Sequence, residues 1–189
     1  MCGMEVFMKV AAMLADGFEE GEALAVIDIL RRAGIETTLV SIMGHREKVE
    51  GAHGITVIAD GTLEHITIEK YDGIFLPGGM PGTNNLDACT ELCDTLLNFA
   101  NNGKIIAAIC AAPKVLGRLG ILNGKKAICY PGFEKELLGA TISHERVVKD
   151  GNIFTSKGMG TAIDLGLALV AEIKSEGEAK EMAKGIQYI

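Results

Sequence analysis

The sequence lacks the features of several large classes of protein. No apolar run reaches the ~18 residues that a membrane-spanning helix needs, so no insertion into a membrane is expected. Lysine and arginine do not cluster and the formal net charge is −7, so nucleic acids and anionic membrane surfaces are poor partners. The apolar stretch 6–15 has no cationic region before it, and the acidic segment 16–20 follows it. This stretch therefore predicts a first buried strand rather than a secretion signal.

A disulfide framework is also missing. The number of cysteines is odd, and their spacing shows no framework: Cys2, Cys89, Cys93, Cys110 and Cys129. A reducing compartment, the cytoplasm, is therefore expected. Cys89 and Cys93 lie four residues apart on a predicted helix with no histidine nearby, which is more typical of packing than of a zinc site. No metal site is predicted.

The residues that are present indicate an ordinary globular domain with a repeating order of elements. Apolar residues make up 48% and charged residues 23% of the 189 residues, which favours one domain over the whole chain, 1–189. Strand-like runs alternate with helical periodicity, so we predict the α/β class with a mostly parallel central sheet and helices on both faces. Strands are predicted over 6–15, 35–43, 55–59, 72–77, 104–110, 125–129 and 147–154, and helices over 20–33, 86–101, 160–174 and 177–185, with a short helix after residue 110.

Cys110 is the strongest candidate for chemistry. It closes the apolar run 104–110, and a helical stretch follows at once with Pro113 in its first turn. We expect a sharp strand-to-helix turn with the sulfur facing a helix N-terminus, whose positive end stabilises the reactive thiolate. The alternative is a buried structural cysteine, since free cysteine is often buried.

Two further features are expected near that sulfur. Glu22, one turn into the first helix, is placed to hydrogen-bond to the thiolate and to carry a proton; alternatively it only complements the helix dipole. The loop 77–82 (PGGMPG) follows a strand, so its backbone N–H groups and that of Ala111 can stabilise an oxyanion; alternatively it is a tight turn. If the strands ending near residues 15, 76 and 109 are parallel, their ends converge on one pocket.

Five motifs follow one another along the chain: 16–22 (DGFEEGE), 31–35 (RRAGI), 76–79 (LPGG), 107–113 (AAICAAP) and 155–161 (TSKGMGT). The order of these motifs resembles the ThiJ/PfpI superfamily and, within it, the DJ-one-like branch. The resemblance implies a flavodoxin-like, three-layer fold and a homodimer. It also implies that Cys110 is the nucleophile, that Glu22 is its partner, and that the backbones of Gly79 and Ala111 are the oxyanion donors. Gly78 and Tyr130 are expected to line the pocket.

The resemblance implies a glutathione-independent glyoxalase or protein deglycase that acts on methylglyoxal-type α-oxoaldehydes or on their adducts. Its partners are then a small carbonyl compound or a glycated protein, and no cofactor is needed. A role in oxidative stress is expected with this activity. The competing hypothesis is a redox-sensing protein or chaperone that uses the same oxidisable cysteine without turnover. An older family name points to thiamine biosynthesis, which nothing in these residues supports.

Three positions depart from the patterns of the superfamily. Tyr130 stands where the branch often has histidine, and His53 stands where an arginine is sometimes found near the pocket. Ala111 stands where the protease-like branch has a histidine directly after the cysteine. This difference argues against the hypothesis that the chain is a PfpI-type peptidase. Such a peptidase needs a histidine from another subunit and a hexameric assembly.

Overall fold

The structure, a computed structural model, describes residues 8–189; Cys2 and residues 6–7 of the predicted first strand lie outside this part. Its strands, in chain order, are β1 (Lys9–Leu14), β2 (Glu36–Ser41), β3 (Lys48–Glu50), β4 (Thr56–Ile58), β5 (Gly61–Thr62), β6 (Gly73–Leu76), β7 (Ile105–Ile109), β8 (Lys126–Ala127), β9 (Thr141–Ile142), β10 (Val147–Asp150) and β11 (Ile153–Ser156). Its α-helices are α1 (Glu20–Arg32), α2 (Gly82–Ala88), α3 (Thr90–Asn101), α4 (Pro113–Arg118), α5 (Ala162–Ile173) and α6 (Glu176–Gly185).

Seven strands form the central sheet, in the order β10-β11-β7-β6-β1-β2-β5. Every pair of neighbours is parallel except β10 and β11, which are antiparallel. The predicted mostly parallel sheet is therefore confirmed. The predicted strand 147–154 is instead a hairpin of two strands, because Gly151 takes a positive φ of 63° and reverses the chain.

Two other predicted elements differ from the structure. The predicted helix 86–101 is divided into α2 and α3, because Cys89 between them has extended backbone with ψ of 100°. The predicted strand 125–129 contributes only β8, which pairs with β9 outside the central sheet. By contrast, the predicted strand 55–59 does form a hairpin with the segment before it, since β4 pairs with β3 in antiparallel fashion.

Both faces of the sheet are covered. Along β7, Ile105, Ala107 and Ile109 belong to one core cluster, whereas Ile106 and Ala108 belong to the other, as the two-residue period of a strand requires. The first cluster packs under α1 and α5, and the second packs under α3 and α4. The predicted three-layer arrangement is therefore confirmed. None of the helices within residues 8–189 has the length and apolar character needed to cross a bilayer.

Candidate functional site

Three strand ends that were expected to converge lie side by side. β6 lies between β1 and β7, and both pairings are parallel. Gly78 follows the carboxyl end of β6 closely, and Cys110 directly follows that of β7. In open α/β sheets ligands bind beyond these carboxyl ends. The predicted convergence of the three strand ends is confirmed.

The backbone at Cys110 takes an unusual conformation. Its φ is 65°, a positive value that, among the non-glycine residues of the range 8–189, only Gln187 shares. Such a conformation costs about 1–3 kcal/mol and persists only where the surroundings hold it. Two backbone hydrogen bonds do so: the N–H of Cys110 donates to the carbonyl of Ser156 at 3.0 Å, and its carbonyl accepts from the N–H of Tyr130 at 2.8 Å. With α4 beginning at Pro113, the predicted sharp strand-to-helix turn is confirmed.

Glu22 reaches the site from the first turn of α1. The carboxylate of Glu19, the N-cap residue, accepts a hydrogen bond of 2.5 Å from the N–H of Glu22 and starts the helix there. The side chains of Ala23 and Val26 face the core, so the helix is held against the sheet. Glu22 is consequently only 1% exposed although it is a carboxylic acid.

The carboxyl group of Glu22 contacts both strand ends. It hydrogen-bonds to the side chain of Cys110, and it accepts the N–H of Gly78 at 2.9 Å and the N–H of Met159. A methyl group on Gly78 would lie 2.5 Å from Cys110 Cβ and 2.6 Å from Glu22 Oε2. Only glycine therefore allows the acid and the thiol to approach each other at this place.

The two amides that were predicted as oxyanion donors also lie at the sulfur. The backbone N–H groups of Gly79 and Ala111 hydrogen-bond to the sulfur of Cys110. Gly79 has a positive φ of 89°, and a methyl group on it would lie 2.4 Å from the backbone nitrogen of Glu19. The loop after β6 therefore turns two consecutive backbone N–H groups toward the acid and the thiol.

Burial acts on both ionisable groups of this pair. Burial raises the pKa of Glu22 from 4.5 to about 7, and its hydrogen bond to Cys110 opposes this increase. Burial also raises the pKa of Cys110 from 9.0 to about 12, and the Glu22 carboxylate raises it further, whereas the two amides lower it. The expectation that the pKa of this thiol lies below its ordinary value is therefore wrong, because burial and the carboxylate outweigh the amide donors. The sulfur is buried beside a carboxylate, and the short helix α4, with only six residues, does not offset these two effects on the thiol pKa.

The pair has a chemical use in this form. A carboxyl group with a pKa near 7 is matched to accept or donate a proton in neutral solution. The proton of the thiol has an acceptor in hydrogen-bond contact, and the resulting thiolate is stabilised by the amides of Gly79 and Ala111. The two groups titrate as one coupled system. The arrangement is a thiol with its own base, rather than a thiolate at rest.

Sequence reasoning did not assign a role to the segment 156–161, which forms the third side of the site. Ser156 holds the backbone of Cys110, and Met159 donates to Glu22. The ring of half-exposed Tyr130 lies over Gly158, and a methyl group there would be 3.3 Å from the ring and 3.6 Å from Glu22 Oε1. A cavity of about 320 Å³ opens beside these residues. The available signal was the motif TSKGMGT, which ends a strand and contains two glycines.

His53 lies close to the acids of α1 rather than to Cys110. Its Nδ1 is 2.8 Å from Glu20 Oε2, and the backbone N–H groups of His53 and Ile55 donate to Glu20 Oε1. Together with Glu19, these groups form the one cluster with metal-ligand spacing in the described residues, their ligand atoms lying within 4.8 Å of one another. Because three N–H groups already occupy the Glu20 carboxylate, the contact anchors the loop around residue 53 to α1.

Comparison with known proteins agrees with this architecture. The model of the DJ-1/PfpI family matches residues 8–172. Protein dj-1beta of Drosophila melanogaster is 36% identical over 176 residues, which cover 92% of this chain and 94% of the relative. DJ-1 homolog B of Arabidopsis thaliana is 40% identical over 177 residues, but the chain spans only 40% of that longer protein. The solved structure of oxidized Toxoplasma gondii DJ-1 has a TM-score of 0.91 and 36% identity, covering 95% of this chain and 98% of that one.

Proposed function

The chain belongs to the DJ-1/PfpI family, and from this premise we propose that it is a cysteine-dependent, glutathione-independent glyoxalase and protein deglycase. Its substrates are methylglyoxal-type α-oxoaldehydes or the adducts that they form on protein thiols and amines. The observation that carries the proposal is the hydrogen bond between the Cys110 thiol and Glu22, with the amides of Gly79 and Ala111 directed at the same sulfur. The reaction needs a nucleophile, a proton carrier and donors for an oxyanion, and this pair with its amides offers all three.

The first step is the addition of Cys110 to the aldehyde. The Glu22 carboxylate takes the proton of the thiol while the sulfur attacks the aldehyde carbon of methylglyoxal. The aldehyde oxygen becomes an oxyanion, which the amides of Gly79 and Ala111 stabilise. Protonation of this oxygen by Glu22 gives a neutral hemithioacetal and returns the carboxylate.

The remaining steps move two protons and add one water. The Glu22 carboxylate removes the hydrogen from the former aldehyde carbon and delivers a proton to the neighbouring ketone carbon. The hydroxyl proton of the hemithioacetal passes to the former ketone oxygen, which yields a 2-hydroxy thioester on Cys110. Water then adds to the thioester carbonyl, and the thiol leaves with a proton. Lactate is the product from methylglyoxal, with no net oxidation or reduction. A protein adduct follows the same path once the sulfur of Cys110 replaces the protein amine or thiol at the former aldehyde carbon. The bond from that carbon to the amine or thiol breaks, and the released group leaves with a proton.

The size of the expected effects suits this reaction. One oxyanion donor contributes about 3 kcal/mol to the stabilisation of a transition state, and a positioned acid–base group contributes about 10²- to 10⁴-fold in rate. These contributions suffice for a modest enzyme that acts on an already electrophilic carbonyl. Tyr130, whose ring lies against Gly158, forms a wall of the pocket in this mechanism.

Lactate formation from methylglyoxal without glutathione tests the proposal. Wild type, Cys110→Ser and the matched control Cys129→Ser are compared at equal concentration. We expect wild type and Cys129→Ser to form lactate at similar rates, and Cys110→Ser to lose at least about a thousand-fold. Equal rates from wild type and Cys110→Ser would remove the proposal.

The competing candidate is a redox sensor or chaperone without turnover. The observation that favours it is the set of donors at the sulfur, because amides and a protonated Glu22 also stabilise the oxygens of a sulfinate. One solved relative, that of Toxoplasma gondii, is described as oxidized. Peroxide titration followed by mass spectrometry separates the two. Selective sulfinate at Cys110 together with negligible aldehyde turnover would favour the sensor.

We also propose that the chain forms a homodimer. Light scattering coupled to size-exclusion chromatography measures the mass in solution directly. A mass of twice 20.0 kDa is expected, whereas a hexamer would point toward the PfpI-type peptidase.

A further inference from the structure

Lys157 differs from the other half-buried lysines. Five lysines in the described residues are half-buried, and Lys157 alone of these makes no hydrogen bond or ion pair within residues 8–189. The other four have partners: Lys9 binds Glu36, Lys104 binds the carbonyls of Glu69 and Tyr71, Lys114 binds Asn84, and Lys125 lies 3.8 Å from Asp150. An ammonium group that lines a cavity without a protein partner is available to an anionic group of a ligand.

The position of Lys157 in the chain places it beside the reacting pair. The residue before it, Ser156, accepts the N–H of Cys110 at 3.0 Å. The residue after it, Gly158, lies against Tyr130 and faces the carboxyl group of Glu22. Lys157 itself lines the cavity of about 320 Å³ that adjoins the site. This volume is at the lower end of ligand pockets, about 300–1,000 Å³, and is larger than methylglyoxal needs.

The other charges around this cavity are already paired or carry the opposite sign. Arg146 lines the same cavity, but its guanidinium donates to Asp164 and to the carbonyl of Gly160, each at 2.7 Å. On the α1 side, Glu19 and Glu22 bring negative charge. Lys157 is therefore the cation that remains available to a ligand in this cavity, between the exposed side chains of Tyr130 and Met159.

We propose that this cavity is a second substrate subsite in which Lys157 binds an anionic group, so that the preferred substrates are α-oxoaldehydes with a carboxylate at the far end. The inference rests on the proposed function for the chemistry of the aldehyde end. The aldehyde carbon reacts with Cys110, the chain of the substrate passes Gly158 and Tyr130, and the carboxylate reaches the ammonium of Lys157. Methylglyoxal, which has only a methyl group at that end, leaves the subsite empty.

The first experiment needs no turnover. Iodoacetate and iodoacetamide are nearly equal in size and differ in charge, so the ratio of their alkylation rates at Cys110 reports whether an anion is favoured there. We expect this ratio to fall about five-fold in Lys157→Met and Lys157→Gln, the size of about 1 kcal/mol for one accessible ion pair. It stays at the wild-type value in Lys157→Arg, which keeps the charge. It also stays there in Lys70→Met, which removes an exposed charge before the amino-terminal end of β6.

Salt provides the same comparison without a substitution. At about 1 M salt the Debye length is about 3 Å, so the wild-type ratio should fall toward that of Lys157→Met. A ratio that is the same in wild type, Lys157→Met and Lys157→Gln overturns the inference.

The second experiment compares turnover of 4,5-dioxovalerate, an α-oxoaldehyde with a terminal carboxylate, with turnover of methylglyoxal. We expect kcat/KM to favour 4,5-dioxovalerate in wild type and this preference to fall about five-fold in Lys157→Met. Methylglyoxal turnover with an unchanged alkylation ratio overturns the subsite and leaves the proposed function standing. A changed alkylation ratio without turnover of either aldehyde supports the anionic subsite and removes the glyoxalase.

Discussion

Cys110 and Cys129 are two thiols on adjacent segments, since the N–H of Tyr130 donates to the carbonyl of Cys110 at 2.8 Å. Burial raises the pKa of each to about 12. Their neighbours differ. Cys110 faces the carboxyl group of Glu22 and two amide donors, and it packs on the side of α1 and α5. Cys129 is only 2% exposed and lies in the apolar cluster under α3 and α4, with a single amide donor from Phe133.

The comparison teaches that a raised pKa does not by itself distinguish a structural thiol from a reactive one. In the proposed mechanism the distinguishing property is a neighbour that can accept the proton when the sulfur attacks. Glu22, with its pKa near 7, is such a neighbour for Cys110. Around Cys129, the nearby acid Glu134 is exposed and acts on the thiol only through its charge.

The largest expected effect comes from removing the proton acceptor. Glu22→Gln keeps the size of the side chain but cannot take the proton of the thiol, so aldehyde turnover should fall about 10²- to 10⁴-fold. In wild type, kcat/KM should rise with pH through about 7 as Glu22 ionises. Alkylation of Cys129 should be the same in both proteins. Full activity in Glu22→Gln would remove the distinction between the two cysteines.

A second effect concerns stability. The pKa of Glu22 is 4.5 in the unfolded chain and about 7 in the folded one, so between these values only the folded state keeps the proton. The stabilisation is fully present below pH 4.5 and is lost as the pH rises through 7, about 3 kcal/mol in total. Urea unfolding at pH 5 and pH 8 should show this loss in wild type and in Cys129→Ala. This loss should be absent from Glu22→Gln. If the free energy of unfolding changed by the same amount between pH 5 and pH 8 in all three proteins, the raised pKa of Glu22 would be contradicted.

A third effect tests the close approach of acid and thiol. The methyl group of Gly78→Ala meets Cys110 Cβ and Glu22 Oε2 at distances that no packing allows, so the pair must separate. We expect at least about ten-fold loss of turnover and about 1–3 kcal/mol of destabilisation. The matched control is Gly185→Ala, where a methyl group meets nothing within 4 Å. Turnover and thermal stability are measured for both variants. Equal turnover and equal stability of Gly78→Ala and Gly185→Ala would argue against close packing of Glu22 and Cys110.

The smallest effect is expected at the other thiol. Cys129→Ala removes one buried sulfur from an apolar cluster, which should cost about 1 kcal/mol of stability. Aldehyde turnover should stay within two-fold of wild type, since none of the groups around Glu22 changes. Denaturant unfolding and lactate formation measure the two quantities. A large loss of turnover would show that Cys129 takes part in the chemistry.

Much of the site could be predicted because its parts are local. Cys110 ends an apolar strand and precedes Pro113, and Gly78 and Gly79 follow another strand, so the turn and the loop are visible in short stretches of sequence. The direction of the thiol pKa could not be predicted, because it depends on how deeply the sulfur is buried and on where Glu22 points. Met159 and Lys157 were missed for a related reason. They reach the site only because β11 pairs with β7 in parallel, which brings Ser156 opposite Ile109.

The sequence by itself determined the layered architecture, the candidate nucleophile with its glycine loop, and the family, since these depend on periodicity, on residue type at strand ends and on the order of motifs. The tertiary structure decided the protonation chemistry and the shape of the pocket. Both depend on distances between segments far apart in the chain and on the exclusion of water, and a linear pattern of residues contains neither quantity.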